Sequence, residues 1–418
     1  MSKSFANITR LFSTSPSQAA SRALQVSRSD LIALVLSLVG ILAGVWVSVN
    51  IFEDMPHLED EIAYVWQANV LAEGDLKIPS PPFKESFLVP FVVDHQGYRF
   101  GKYPIGWPLL LSVGVRLGLR TWVNPLLGGL AIWLTYRLGK RIFGSPTGLL
   151  AAALTAASPF FLMNTGSLLS HPLGLVLSIA FGLTWLDAFG KVSGPRRWPS
   201  TLLSALCLGL LVLVRPFSAV AVAFPFALYG LYLLVRGDGK TRLHLLAMGG
   251  LTLALALLHF LWQYAVTGDP LLNPYTLWWP YDKVGFGPGV GVTETGHTLR
   301  QAWVNTRYSL QIGWRDLFGW GNYSWIFLPF GLWAARRDVR GFLLALVYPS
   351  LVVFYLAYWV SSWLFGPRYF YEGLFSLTLI SAAGIVYLAG WPLGDNQPGA
   401  RPAWLNPGSL FQSVFRRA

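Results

Sequence analysis

Long apolar runs recur along the whole chain, separated by short polar connections and by two longer polar segments. A hydrocarbon core of roughly 30 Å takes about 20 helical residues to cross. Ten runs approach that length: 30–51, 121–139, 145–163, 170–189, 199–215, 216–235, 243–265, 322–335, 341–360 and 371–390. The stretch 199–235 is too long for one span. It divides at Arg215-Pro216, where a charge and a helix breaker coincide. The pattern predicts an all-α polytopic membrane protein with about ten transmembrane helices over residues 30–390. Tails 1–29 and 391–418 flank it, and no internal repeat is visible.

The two polar segments are 52–120 and 266–321. In the first, a helix of about fourteen residues follows Pro56, with Ile62, Val65, Trp66 and Val70 on one face and Gly74 as its end. Such a helix suits the membrane interface. "SFLVPFVVDHQGYRF" predicts two short strands around a turn at Asp94–Gly97. "GKYPIGWPLLLSVGVRLG" then predicts a second interfacial helix, with Pro104 at its first helical position. The second segment mixes aromatic residues with "GFGPGVG", which lacks a strand-turn-helix setting and reads as a flexible lid rather than a phosphate loop.

Composition agrees with the pattern. Of 418 residues, 54% are hydrophobic and only 12% charged, about half the charged fraction of a soluble protein. The net charge of +12 could suggest nucleic acid, but its distribution argues for membrane orientation. Alternate connections are basic: Arg137, Lys140 and Arg141; Lys191, Arg196 and Arg197; Arg236, Lys240 and Arg242; Arg336, Arg337 and Arg340. That side carries 19 Lys and Arg against 5 Asp and Glu, and the other 12 against 14. Basic loops stay cytoplasmic, so both termini are expected there and both long segments outside. The first 29 residues are Ser-rich and basic, without an acid. Mitochondrial transit peptides share that composition, but a cytoplasmic tail is the reading adopted. Cys207 is the only cysteine and lies in an apolar run, so no intrachain disulfide can form.

Candidate chemistry gathers in the first outer segment. Glu59, Asp60 and Glu61 open one helix and Lys102 precedes the next. Taken singly, the acids are a solvated cap on a helix dipole and the lysine is an interfacial snorkel. Taken together, free backbone N–H groups and a cation converge at Lys102 in a way that suits a phosphate.

The order of these features resembles a known superfamily. The acidic pair Asp60-Glu61 follows the first span, "GKYPIGWP" opens a second interfacial helix, and "LVRPFSAV" (213–220) and "FGPRYFYEG" (365–373) come later. Residues 30–390 thereby resemble the GT-C membrane glycosyltransferases, in particular polyprenyl-phosphate-sugar-dependent protein mannosyltransferases and lipid A aminoarabinose transferases. The resemblance implies a catalytic domain of GT-C-like fold, with Asp60 as base and Lys102 as a ligand of the donor phosphate. Two departures stand out: Lys-Tyr-Pro replaces the family's Lys-Pro-Pro, and "LLSHPLG" puts His171 where relatives often carry an acid.

The implied reaction moves a hexose or pentose from a polyprenyl-phosphate donor to a hydroxyl acceptor on lipid, glycan or protein. One carboxylate takes the acceptor's proton. The phosphate leaves as a stable anion, so it needs fixed positive charge rather than a second acid. Lys102, Arg215 and Arg368 are the outward cations, and one displacement implies inversion. Glu61, grouped with Asp60 as catalytic, is expected to orient the base, share a metal or merely cap the helix, and like charges nearby are expected to raise the Asp60 pKa. His57, His171, Tyr103, Trp278 and Tyr369 are further candidate substrate contacts. Trp278, Trp279 and Tyr281 could stack on sugars or anchor in an aromatic belt. His57, Asp60 and Glu61 could hold a divalent metal, although their spacing matches no strong ligand motif. The expected setting is a bacterial cytoplasmic membrane. The rival reading is a transporter or flippase of lipid-linked sugars, against which the missing repeats count.

Overall fold

The computed structural model describes residues 27–190, 197–336 and 338–394. Most of both tails, and Lys191, Arg196 and Arg337 of the basic connections, lie outside the described residues.

All ten expected segments contain helix, but among the described residues fewer than ten are by themselves long and apolar enough to cross a membrane. Six stretches are long and apolar enough to cross a membrane: α1 (Arg28–Asn50), α7 (His171–Phe189), α8 (Arg197–Val214), α9 (Pro216–Arg236), α10 (Gly239–Thr267) and Arg368–Leu388, which holds a 3₁₀ turn (Arg368–Gly373) and α16 (Leu374–Leu388). A seventh results if α5 (Ser145–Ala156) and α6 (Pro159–Gly166), bent by 60°, count as one. Prolines explain two of the differences. Pro159 cannot continue α5, and the Ser158 hydroxyl instead caps α6 by accepting from the Phe161 N–H at 3.2 Å. The run 341–360 breaks into α14 (Val339–Ala345) and α15 (Val347–Tyr355), because Pro349 would collide with the turn before it. The run 322–335 yields only the eight residues of α13 (Leu328–Ala335), about 12 Å of helix. α4 (Val123–Phe143) has 21 residues but carries Arg137, Lys140 and Arg141 in its second half.

The chain is a multi-pass membrane protein. Its outward apolar side chains are those a bilayer would cover: Leu31, Leu38, Leu42 and Trp46 on α1 are each more than half exposed, and few residues of α10 are fully buried. α16 is the opposite, a central helix buried along nearly its whole length against α5 and α13. α4 and α5 cross where Gly139 meets Gly148; a Cβ on Gly139 would stand 2.7 Å from the Gly148 Cα.

In the first outer segment the expected helix is α2 (Glu59–Glu73), ended by Gly74 at φ 106°. Its environment differs from the expected interfacial one. Tyr64, Gln67 and Glu61 are buried alongside Ala63 and Ala68, while Ile62 and Trp66 are half-buried. α2 is enclosed by protein on most sides, so the apolar stripe underestimates its burial. The expected hairpin is β2 (Val92–His95) against β3 (Tyr98–Gly101), turning at Gln96 (φ 50°) and Gly97 (φ 79°). A further strand, β1 (Ile78–Pro79), pairs with β3 to give the order β1-β3-β2. The second short helix, α3 (Gly106–Arg116), begins two residues after Pro104. The second outer segment contains α11 (Pro274–Trp278) and an 18-residue helix, α12 (Leu299–Asp316).

Candidate active site

Helix direction gathers the site. α7, α9 and α16 start at the same end of the bundle at which α8 and α15 finish. His171, Arg215, Tyr355 and Arg368 therefore meet there, beneath the two outer segments. They line a cavity of about 490 Å³ with Asp60, Lys102, Tyr103, Tyr369 and, at its rim, His57. Eight of the ten expected site residues thus share one cavity; Glu61 and Trp278 do not line it.

Glu61 is a clamp. Its Oε2 accepts from the backbone N–H groups of His57 and Leu58, both at 2.9 Å, and its Oε1 accepts from the Leu168 N–H at 2.6 Å. Burial pushes its carboxyl above the ordinary glutamate value, against those three donors. Glu61 caps α2 and ties it to the α6–α7 turn, which fixes its neighbour Asp60. Of the three expected roles, these contacts match capping and orienting.

Asp60, the second residue of α2, faces the cavity. One oxygen accepts from the Tyr103 hydroxyl and the other from the Arg368 guanidinium, both in short contacts. Burial raises the carboxyl pKa, but Arg368, the Tyr103 hydrogen bond and Lys102 outweigh it, so the net shift is downward. This reverses the expected rise. The decisive neighbour is a cation brought from residue 368, not the adjacent acids. Tyr103, buried beside that carboxylate, is pushed well above its ordinary pKa and remains a donor.

Lys102 sits between β3 and α3. Its ammonium lies 3.9 Å from the Phe91 ring centroid, 4.8 Å from Trp279 and 5.0 Å from Tyr275, and 3.2 Å from the Asp282 carboxylate. Burial draws its pKa below the ordinary lysine value, against the Asp282 charge. Asp282 also accepts from the Tyr358 hydroxyl and the Trp359 indole, each at 3.1 Å. Arg215, between α8 and α9, pairs with Glu372 at 2.6 Å, and Gly174 leaves room for that carboxylate: a Cβ there would stand 2.7 Å from it. All three expected cations are therefore already paired with carboxylates, namely Lys102 with Asp282, Arg215 with Glu372 and Arg368 with Asp60.

Trp278 packs behind the cavity, 5.6 Å from Phe91, and its neighbour Trp279 faces the opening. Tyr369 stacks on Tyr355 with centroids 5.2 Å apart. Asp282, Glu372 and Tyr355 escaped the sequence reading, because nothing local marks an acid 180 residues from its lysine. His57, Asp60 and Glu61 do not form the conceivable metal set, since Glu61 turns to backbone donors. Among the described residues no group of three or more His, Cys, Asp or Glu side chains is placed to hold a metal ion.

The comparisons bear on this bundle and its cavity as follows. The model of the dolichyl-phosphate-mannose-protein mannosyltransferase family matches residues 111–262. That stretch includes His171 and Arg215 but not Asp60, Lys102 or Arg368. ArnT from Cupriavidus metallidurans, solved with bound undecaprenyl phosphate, is similar with a TM-score of 0.58 at 17% identity over 91% of this chain and 63% of its own. The oligosaccharyltransferase AglB of Archaeoglobus fulgidus, solved with an inhibitory peptide and a dolichol-phosphate, gives 0.50 at 14% over 91% of this chain and 54% of its own. This chain thus spans less than two thirds of the length of either. No curated protein matches it in sequence. The chain shares the fold of these two membrane proteins, in keeping with the GT-C-like fold that its motifs led one to expect.

Proposed function

We propose that the chain is an inverting glycosyltransferase that moves a sugar from a polyprenyl-phosphate donor to a hydroxyl acceptor at the outer face of its membrane. One observation carries the reading: Asp60, Lys102, Arg215 and Arg368 line a single cavity. The polyprenyl phosphates bound by ArnT and by the archaeal oligosaccharyltransferase support a donor of that class.

In this reading the donor phosphate docks on the three cations and competes with their carboxylate partners. Arg368 matters most, because its Nε is buried without a partner while its Nη1 holds Asp60. As Arg368 turns to the phosphate, Asp60 loses its strongest neutralising neighbour and becomes a stronger base. The acceptor oxygen then bonds to the anomeric carbon while its proton passes to Asp60. The bond from that carbon to the phosphate oxygen breaks, its electron pair leaving on the polyprenyl phosphate. The cations hold that anion.

Purified protein given synthetic polyprenyl-phosphate sugars and a hydroxyl acceptor tests this. Sugar transfer that Asp60→Asn abolishes is the expected result. No transfer from any donor, with wild-type protein moving the lipid across vesicle bilayers, would instead establish the flippase.

A further inference from the structure

His171 is the first residue of α7 and only 2% exposed, yet it lines the cavity. Both its ring nitrogens are buried without a hydrogen-bond partner. Leaving such a group unpaired carries the desolvation cost of a lost hydrogen bond. A histidine kept for packing would be satisfied by its surroundings.

The backbone holding this ring is firmly placed. In the turn before α7, the Asn124 amide donates to the carbonyls of Ser167 at 2.6 Å and Leu169 at 2.9 Å. The Trp107 indole donates to the Leu168 carbonyl at 2.9 Å, and Glu61 accepts from the Leu168 N–H. Three elements, α2, α3 and α4, thus hold the turn that aims His171. The same Glu61 fixes Asp60, so the base and the imidazole share one support. The Tyr371 ring packs edge-on at 6.2 Å, so the imidazole has an apolar neighbour.

We infer that His171 is a specificity-determining residue that binds hydroxyls of the donor's sugar. The inference rests on the proposed reaction and deepens it. A neutral imidazole offers one donor and one acceptor. A phosphate diester only accepts, so it satisfies one nitrogen and leaves the other orphaned. The acceptor's reacting hydroxyl is engaged by Asp60. A sugar ring carries hydroxyls that both donate and accept, and with its phosphate on the cations and its anomeric carbon near Asp60 it would occupy the cavity that His171 also lines. Sites built to hydrogen-bond a substrate hydroxyl discriminate strongly, because buried polar groups are left unpaired when it is missing.

The test compares polyprenyl monophosphate with polyprenyl-phosphate mannose and polyprenyl-phosphate glucose, binding to wild type, His171→Phe and His171→Asn. His171→Phe keeps the ring volume and removes both polar atoms. It is expected to leave monophosphate affinity within about twofold and to weaken the preferred sugar-bearing lipid about tenfold or more. His171→Asn, which keeps a donor and an acceptor, is expected to recover part of that loss. Equal weakening of all three lipids would make His171 a phosphate ligand and overturn the inference. Unchanged affinity for all three would overturn it in favour of packing. Wild type that bound none of them would overturn the donor reading itself, before any variant is compared.

Discussion

Asp60 shows how a distant residue decides a local property. Its sequence neighbours are acids, and those alone would raise its pKa. Arg368 arrives on the 3₁₀ turn that precedes α16 and reverses the sign. Asp60 must be unprotonated to act as a base. In the donor-free protein its acid limb therefore falls below the ordinary carboxylate range. Arg368→Gln removes the lowering charge and leaves the burial, so the acid limb of kcat/KM should move to higher pH. A profile unchanged by that substitution would contradict the pairing. Glu61 behaves differently. Glu61→Gln puts an amide nitrogen where a carboxylate oxygen now accepts backbone N–H bonds, and should cost about 1–3 kcal/mol of stability. That loss should be visible as a lower melting temperature, with sugar transfer reduced through Asp60's placement.

At the scale of elements, legibility followed locality. α2, its glycine end and the β2–β3 hairpin could be read from a helical stripe, Gly74 and Gly97, all local signals. β1 could not, because "KIPSPP" reads as a proline-rich connection until β3 is there to pair with it. α12 was missed although its start is written in the sequence. Thr298 and Gln301 form a capping box, in which the Thr298 hydroxyl accepts from the Gln301 N–H and the Gln301 side chain accepts from the Thr298 N–H. The adjoining glycines drew attention instead. Asp60 and Lys102 were legible because they sit at helix starts in one segment. Their partners Arg368 and Asp282 come together with them only in the fold. Contact between elements also yields a prediction. A Cβ on Gly106 would stand 2.8 Å from the Leu213 carbonyl oxygen, so α3 meets α8 backbone to backbone. Gly106→Ala should lower stability by about 1–3 kcal/mol and weaken donor binding, since α3 follows directly on Lys102. Wild-type melting and donor binding would refute that contact.

For the whole molecule, the claim is sidedness. The cavity, both outer segments and the starts of α7, α9 and α16 lie at one end of the bundle, and Arg137, Lys140, Arg141, Arg236, Lys240 and Arg242 lie at the other. The charge rule leads us to propose that the cavity end faces out. A cysteine at Ser86, exposed on the first outer segment, should react only from outside. The native Cys207 is buried and should add little background. Cysteines at Ser193 and Ser409, which lie outside the described residues, should react only from the cytoplasm. Labelling of Ser86→Cys from the cytoplasm would invert the orientation.

The central claim joins these scales: one carboxylate removes the acceptor's proton while separate cations hold the donor. Turnover and donor affinity measured together in Asp60→Asn test it most directly. The amide keeps the shape of the side chain, and it also frees Arg368 for the phosphate. Turnover should fall by about 10²–10⁴, the usual contribution of a general base, with donor affinity kept or tightened. Near-normal turnover in a folded variant that binds the donor would contradict the account and return Asp60 to the role of a helix cap.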